Sequence, residues 1–129
     1  RLPERCRWAA VFQEDRLLDH LDAWGNLRFA GCGDGPRAAG LLAELGLAEE
    51  ADKPVREFSG GMRRRLTLAR ALLAPSDALA LDEPFTGLDE ENRAVCRALL
   101  LREAADKPVL LVTHDENDVS GLGARLLRL

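Results

Sequence analysis

The chain is poor in the residue types that mark several large protein classes. It has no tyrosine, one methionine and three cysteines in 129 residues. Cys6, Cys32 and Cys96 are scattered and odd in number, which excludes a disulfide framework, and the absence of a CxxC pair argues against zinc. No apolar run approaches the roughly 20 residues needed to cross a bilayer, and no basic-then-apolar start resembles a secretory signal. Basic residues are not in excess: 18 Lys+Arg stand against 22 Asp+Glu, a formal charge of −4, which argues against a dedicated nucleic-acid binder. No internal repeat or low-complexity tract occurs. What is present is 47% apolar residues, enough for one hydrophobic core, in a length that suits one domain. The sequence opens on Arg1 and its sole methionine is Met62, so the chain is expected to be a piece of something longer.

Along the chain, Ala9-Ala10-Val11-Phe12 reads as a strand end, followed by the polar loop Gln13-Glu14-Asp15. Leu17 to Phe29 is mixed and weakly helical. Asp34 is positioned to cap a helix with Pro36 in its first turn, whose apolar face is Ala38, Leu41, Leu42 and Leu45. Gly46 stops it, and Lys53-Pro54 to Phe58 is a linker. Ser59 opens a second helix in which Met62, Leu66, Ala69, Leu72 and Leu73 face inward, while Arg63, Arg64 and Arg70 are expected to stay wet. The triplet Arg63-Arg64-Arg65 reads as a solvated helix face with some ion pairs rather than a phosphate site. Ala78-Leu79-Ala80-Leu81 suits a buried parallel strand. Asp89 caps a helix from Glu90 to Ala104, Val109 to Thr113 is a second buried strand, a short helix follows His114, and 124–129 could form a last strand. Strands alternating with helices indicate α/β with a parallel sheet.

In such a sheet, ligands sit at the carboxyl ends of the strands. Gln13, Asp82, Glu83 and His114 each follow an apolar strand closely. Asp82-Glu83 offers one carboxylate for a hard cation such as Mg²⁺ and one to polarise an attacking water. Ser59-Gly60-Gly61 is an N-cap followed by two residues without side chains, and it opens the backbone N–H groups of a helix N-terminus to a phosphate. Each glycine costs about 0.5–1 kcal/mol relative to alanine in a helix.

Taken together, the order Gln13, Phe58–Met62, Leu79–Glu83, Thr86–Asp89 and His114 resembles the ATPase subunit of ATP-binding cassette (ABC) transporters. Gln13 matches the Q-loop. Phe58-Ser59-Gly60-Gly61-Met62 matches the family signature, with Phe and Met in place of the usual Leu and Gln. Leu79–Glu83 matches Walker B, Thr86–Asp89 the D-loop and His114 the switch histidine. The run Val11–Leu18 is most similar to importers of the nitrate, sulfonate or taurine type. The resemblance implies a fold class of α/β, a partial P-loop NTPase core with a parallel sheet plus a helical subdomain. It divides the chain into 1–17 (core strand and Q-loop), 18–74 (helical subdomain with the signature) and 75–129 (core with Walker B, D-loop and switch histidine).

By the same resemblance the ligands would be ATP and Mg²⁺, and the partners a second cassette and transmembrane permease subunits. The chain would lie in the cytoplasm, peripheral on the membrane. Asp82 and Gln13 would serve the metal, Glu83 would activate water, and His114 would contact the γ-phosphate. Ser59, Gly60 and Gly61 would cap the nucleotide held by the partner cassette, and Asp89 would link the two sites. No G-x-x-x-x-G-K-[ST] occurs, and the aromatic that usually stacks on adenine is missing; both belong upstream of the Q-loop in this family. The implied consequence is an empty slot beside the histidine strand, exposing an unpaired apolar edge and leaving the piece marginally stable or aggregation-prone. Two other readings are a cassette unconnected to membranes and a non-catalytic remnant that binds a partner cassette or membrane subunit.

Overall fold

The computed structural model of the chain describes residues 4–33 and 35–120. Three strands, β1 (Trp8–Val11), β2 (Ala78–Asp82) and β3 (Val109–Val112), form a parallel sheet in the order β1-β2-β3. Four α-helices, α1 (Ala23–Phe29), α2 (Pro36–Glu44), α3 (Gly60–Leu73) and α4 (Glu90–Glu103), connect and cover it. The architecture is therefore the α/β arrangement expected from the sequence. Candidate strand 124–129 and candidate cap Asp34 lie outside the described residues.

Local chemistry accounts for the helix ends. The Asp22 carboxylate accepts the Gly25 N–H at 2.7 Å and starts α1, so the weakly helical stretch after Leu17 becomes helix only from Ala23. Gly35 occupies the N-cap of α2, with Pro36 in its first turn. Ala38, Leu41, Leu42 and Leu45 are buried as their spacing requires. Gly46 follows with φ +72°, a left-handed conformation that releases the chain from the helix. The stretch read as a linker instead carries a short 3-10 turn, Val55–Glu57, with Val55 and Phe58 buried. Ser59 accepts the Met62 N–H at 3.2 Å and starts α3; Asp89 accepts the Asn92 N–H at 2.8 Å and starts α4.

Helix α3 is the centre of the packing. It lies against β1, and α1, α2 and α4 all pack on it. From Leu66 onward nearly every side chain of α3 is buried, and with Leu27, Leu42, Leu79, Leu81, Phe85 and Leu99 they make one continuous core. Buried Asn26 ties the segment after β1 to α1: its Oδ1 accepts the Leu18 N–H at 2.7 Å and its Nδ2 donates to the Leu18 carbonyl at 3.1 Å.

Strand β3 departs from the expectation of a buried strand. Val109, Leu110 and Val112 are 38%, 58% and 51% exposed. Among the described residues it is the sheet edge, and α4 shields one face in part, leaving an open cleft between Leu100, Leu101, Ala104 and Val109, Leu111. Strand β3 thus shows, among the described residues, the unpaired apolar edge expected of the histidine strand. An apolar strand edge is a template for pairing with other chains. Replacing Leu110 by Lys on this edge should lower self-association of the purified chain at micromolar concentration, with a stability change within about 0.5 kcal/mol. Light scattering together with chemical denaturation checks both halves of that expectation.

Candidate functional site

Parallel register brings the strand ends level. Val11 lies beside Leu81, and Asp82 beside Val112, so the residues that follow each strand emerge on one edge of the sheet. Glu83 takes a left-handed backbone conformation, φ +48°, which is uncommon for a residue with a side chain. Its N–H donates to the Val112 carbonyl at 2.8 Å. Its Oε1 accepts the His114 backbone N–H at 3.0 Å and lies 2.6 Å from His114 Nδ1. The carboxylate and imidazole predicted to converge do so across two different strands.

The pair is lopsided: the Glu83 side chain is 16% exposed and that of His114 83%. Burial pushes the Glu83 carboxyl up, but the hydrogen bonds and charge of His114, with a bond from Thr86, outweigh it and hold the carboxyl below its ordinary value. The same hydrogen bond and charge hold His114 above its own. Asp82, one residue earlier, has a buried Oδ1 with no hydrogen-bond partner among the described residues. A buried carboxylate oxygen left without a proton donor is suited to a cation.

On the α3 side of the strand ends, Gln13, Gly60, Gly61, Arg64, Thr86 and Gly87 line an open cleft of about 250 Å³. A Cβ added at Gly60 would meet nothing within 4 Å, and one at Gly61 would come no nearer than 3.9 Å to Leu88. Internal packing therefore does not demand either glycine; what they leave open is the approach to the N-terminus of α3. The cleft brings Gln13 to the signature glycines and to the 86–87 turn, while Glu83 and His114 lie beside it toward β3. Ser59 and Asp89 are exposed at their helix starts, each with its side chain capping its own helix.

The arginines of α3 do not behave as a wet face, and this corrects the reading of the triplet. Arg64 is 7% exposed. Its Nη1 donates to the carbonyls of Phe12 at 2.8 Å and Gln13 at 3.4 Å, and its Nη2 donates to the carbonyls of Asp82 at 3.2 Å and of Glu83. Arg63 pairs with Asp15 at 2.7 Å and with Asp19 at 2.8 Å. Arg70 donates to the carbonyls of Asp15 at 2.7 Å and Arg16 at 3.0 Å. Arg65 reaches the carbonyl of Leu45 at 2.6 Å. Arg64 and Arg70 find acceptors in carbonyls at the strand ends and in the loop after β1, Arg63 in two carboxylates of that loop, and Arg65 at the end of α2.

A second network escaped the sequence reading. Arg93, one turn into α4, bonds Asp115 at 2.8 Å and buried Asp118 at 3.0 Å. Asp118 in turn accepts from Thr113 Oγ1 at 2.8 Å. The helix capped by Asp89 is thereby fastened to the turn that carries His114. The available signal was an arginine one turn past a capped helix start and an Asp-rich stretch after a strand, too common a pairing to single out.

A family model described as ABC transporter matches residues 2–86. The aliphatic sulfonates import ATP-binding protein SsuB 1 of Rhodococcus jostii is 46% identical over 122 residues, covering 92% of this chain and 49% of its own. The taurine import ATP-binding protein TauB of Pseudomonas aeruginosa is 40% identical, covering 91% and 48%. The molybdenum import ATP-binding protein ModC of Rhizobium meliloti is 37% identical, covering 95% and 36%. Among solved structures, RNase-L Inhibitor superposes with a TM-score of 0.75 at 27% identity, covering 92% of this chain and 24% of that chain. The chain spans about half the length of the curated sulfonate-import relatives it matches.

The Glu83–His114 contact makes a titration prediction. His114 is raised above its ordinary 6.5 and Glu83 lowered below its ordinary 4.5. The stabilisation from His114 is complete below pH 6.5 and is lost as pH rises through its raised folded value; that from Glu83 is complete above pH 4.5 and is lost as pH falls through its lowered folded value. The contact is therefore strongest between those limits. In an NMR titration the Glu83→Gln variant should bring the His114 midpoint down; a midpoint that does not move would refute the contact.

Proposed function

The chain belongs to the ABC transporter family, and from that premise we propose that it is the signature, Walker B and switch-histidine portion of an ATPase that drives import of a small organic anion of the sulfonate or taurine kind. The observation that supports this best is the meeting of Glu83 and His114, from separate strands, one residue after an Asp82 whose buried Oδ1 has no partner among the described residues. The similarity to sulfonate- and taurine-import proteins supports the solute class. Under this reading 1–17 and 75–129 belong to the core, 18–74 to the helical subdomain, and transmembrane permease subunits and a second cassette are the partners. The chain then works at the cytoplasmic face of the membrane.

ATP is the substrate of the proposed reaction. Asp82 and Gln13 would hold Mg²⁺, which when bound neutralises charge on the phosphates. Asp82 fits such a cation because its Oδ1 has no competing donor. The Glu83 carboxylate, ionised at neutral pH, orients the attacking water and accepts its proton as the water oxygen bonds the γ-phosphorus and the bond to the β–γ bridging oxygen breaks, releasing ADP. His114 holds that carboxylate through Nδ1 and the backbone N–H, and its exposed ring is free to meet the γ-phosphate. Ser59, Gly60 and Gly61 present the positive end of α3 to the nucleotide of the partner cassette. Asp89 caps α4 at the end of the turn beside those glycines, the place from which it would link the two sites.

The test uses the complete cassette that contains this chain. Glu83→Gln should lower ATP turnover by a factor of roughly 10² to 10⁴, the usual contribution of a positioned acid–base group, while ATP binding measured by equilibrium dialysis persists. Undiminished turnover would remove Glu83 from its role.

A further inference from the structure

Arg64 stands between two groups of residues that the proposed reaction needs to keep in register. It lies one turn into α3, at the position whose stripe continues with buried Leu68 and Ala71. Its guanidinium enters between the ends of β1 and β2 and reaches the carbonyls of Phe12 and Gln13 on one side and of Asp82 and Glu83 on the other. Arg63 and Arg70, by contrast, bond Asp15, Asp19 and Arg16, in the loop after β1.

We infer that Arg64 is a positioning residue for hydrolysis, fixing the backbone of Gln13 and of Glu83 to the helix whose first residues are Gly60 and Gly61. The inference rests on the proposed role of Glu83. Three features carry it. Three of the four carbonyls Arg64 holds, those of Gln13, Asp82 and Glu83, belong to candidate residues, and the fourth, of Phe12, directly precedes Gln13. Glu83 has a left-handed backbone, φ +48°, a conformation that costs energy and persists where surroundings over-determine it; Arg64 at its carbonyl and Val112 at its N–H supply those restraints. Arg64 also forms a wall of the cleft shared by Gln13, Gly60 and Gly61, so a shift of the α3 N-terminus on phosphate contact moves the guanidinium and, through it, both strand ends.

A planar fork with paired donors can bridge two strand ends, whereas an ammonium group on a flexible stem acts as a point charge. The experiment measures ATP hydrolysis by the complete cassette carrying Arg64→Lys, with Glu83→Gln and Leu66→Ala as comparisons. Leu66 is buried in the same helix and touches neither strand-end carbonyl. Arg64→Lys should lower kcat by roughly tenfold to a hundredfold, the scale of a small misplacement of reacting groups, with KM for ATP changed less than about threefold. Leu66→Ala should keep kcat within about twofold, well below its melting temperature, despite lost core packing.

Full kcat in Arg64→Lys overturns the inference, and so does an equal loss of kcat in Leu66→Ala. Should Arg64→Lys fail to fold, Arg64→Gln is judged by the same kcat and KM criteria. If both fail to fold while Leu66→Ala folds, Arg64 is a residue of the fold alone and the inference is again overturned. Persistent hydrolysis in Glu83→Gln sinks the parent reading instead, whatever Arg64 does.

Discussion

A charged side chain taken out of water must find acceptors, and in this molecule the acceptors are the carbonyls at the ends of parallel strands. The two needs are complementary. At the ends of β1 and β2 the carbonyls of Phe12, Gln13, Asp82 and Glu83 come within reach of one side chain. The Arg64 guanidinium, 7% exposed, supplies donors to all four. Hydrogen bonds from an ionised donor contribute about 1.5–3 kcal/mol each, and an unpaired buried charge costs several. Contact between α3 and the sheet therefore gives both Nη atoms acceptors, while Nε has none among the described residues. Because α1, α2 and α4 pack on α3, that contact sits at the centre of the helical layer.

Much of this was legible because it is local. Ser59 and Asp89 as caps, Gly46 as a stop, and the 3.6-residue stripe of α2 are decided within one turn of chain, and each is where the sequence placed it. The meeting of Glu83 and His114 was legible for a different reason: parallel strands put their carboxyl ends on one edge, whatever the intervening helices do. Arg64 was not legible, since its partners lie 52 and 19 residues away. An arginine in a helix is assigned to water unless something distant claims it. The exposure of β3 does not follow from its composition, since four consecutive apolar residues read as buried in any sheet.

The two 14-residue helices treat their positive ends in opposite ways. Helix α4 begins at Asp89 and carries Glu90 and Glu91 in its first turn, so its own acids answer its dipole. Helix α3 has no acid in its first turn, begins with two glycines, and leaves Gly60 open to solvent. An end left uncompensated costs a helix some stability, and packing of the last turns makes up the difference, since Leu66 to Leu73 are buried almost without interruption. The near end is held by the Ser59 cap and by Arg64, and no acid of its own answers its dipole, which suits the anion contact proposed for it.

The electrostatics of Glu83 bear on the kind of catalysis this edge can perform. A general base that removes a proton outright works best with a pKa near the working pH. Glu83 is shifted the other way, below the ordinary carboxylate range, because His114 outweighs its burial. Arg64 does not contribute to that shift by pairing with the carboxylate; it holds the backbone carbonyl of the same residue and leaves both carboxylate oxygens to His114, Thr86 and whatever enters from solvent. A carboxylate held by His114 and Thr86, on a backbone fixed at both its N–H and its carbonyl, is suited to orienting a water. Phosphoryl transfer, with its loose transition state, depends largely on such positioning. The bonds spent on holding the Glu83 backbone and carboxylate therefore serve one arrangement, in which position is a large part of the proposed catalysis.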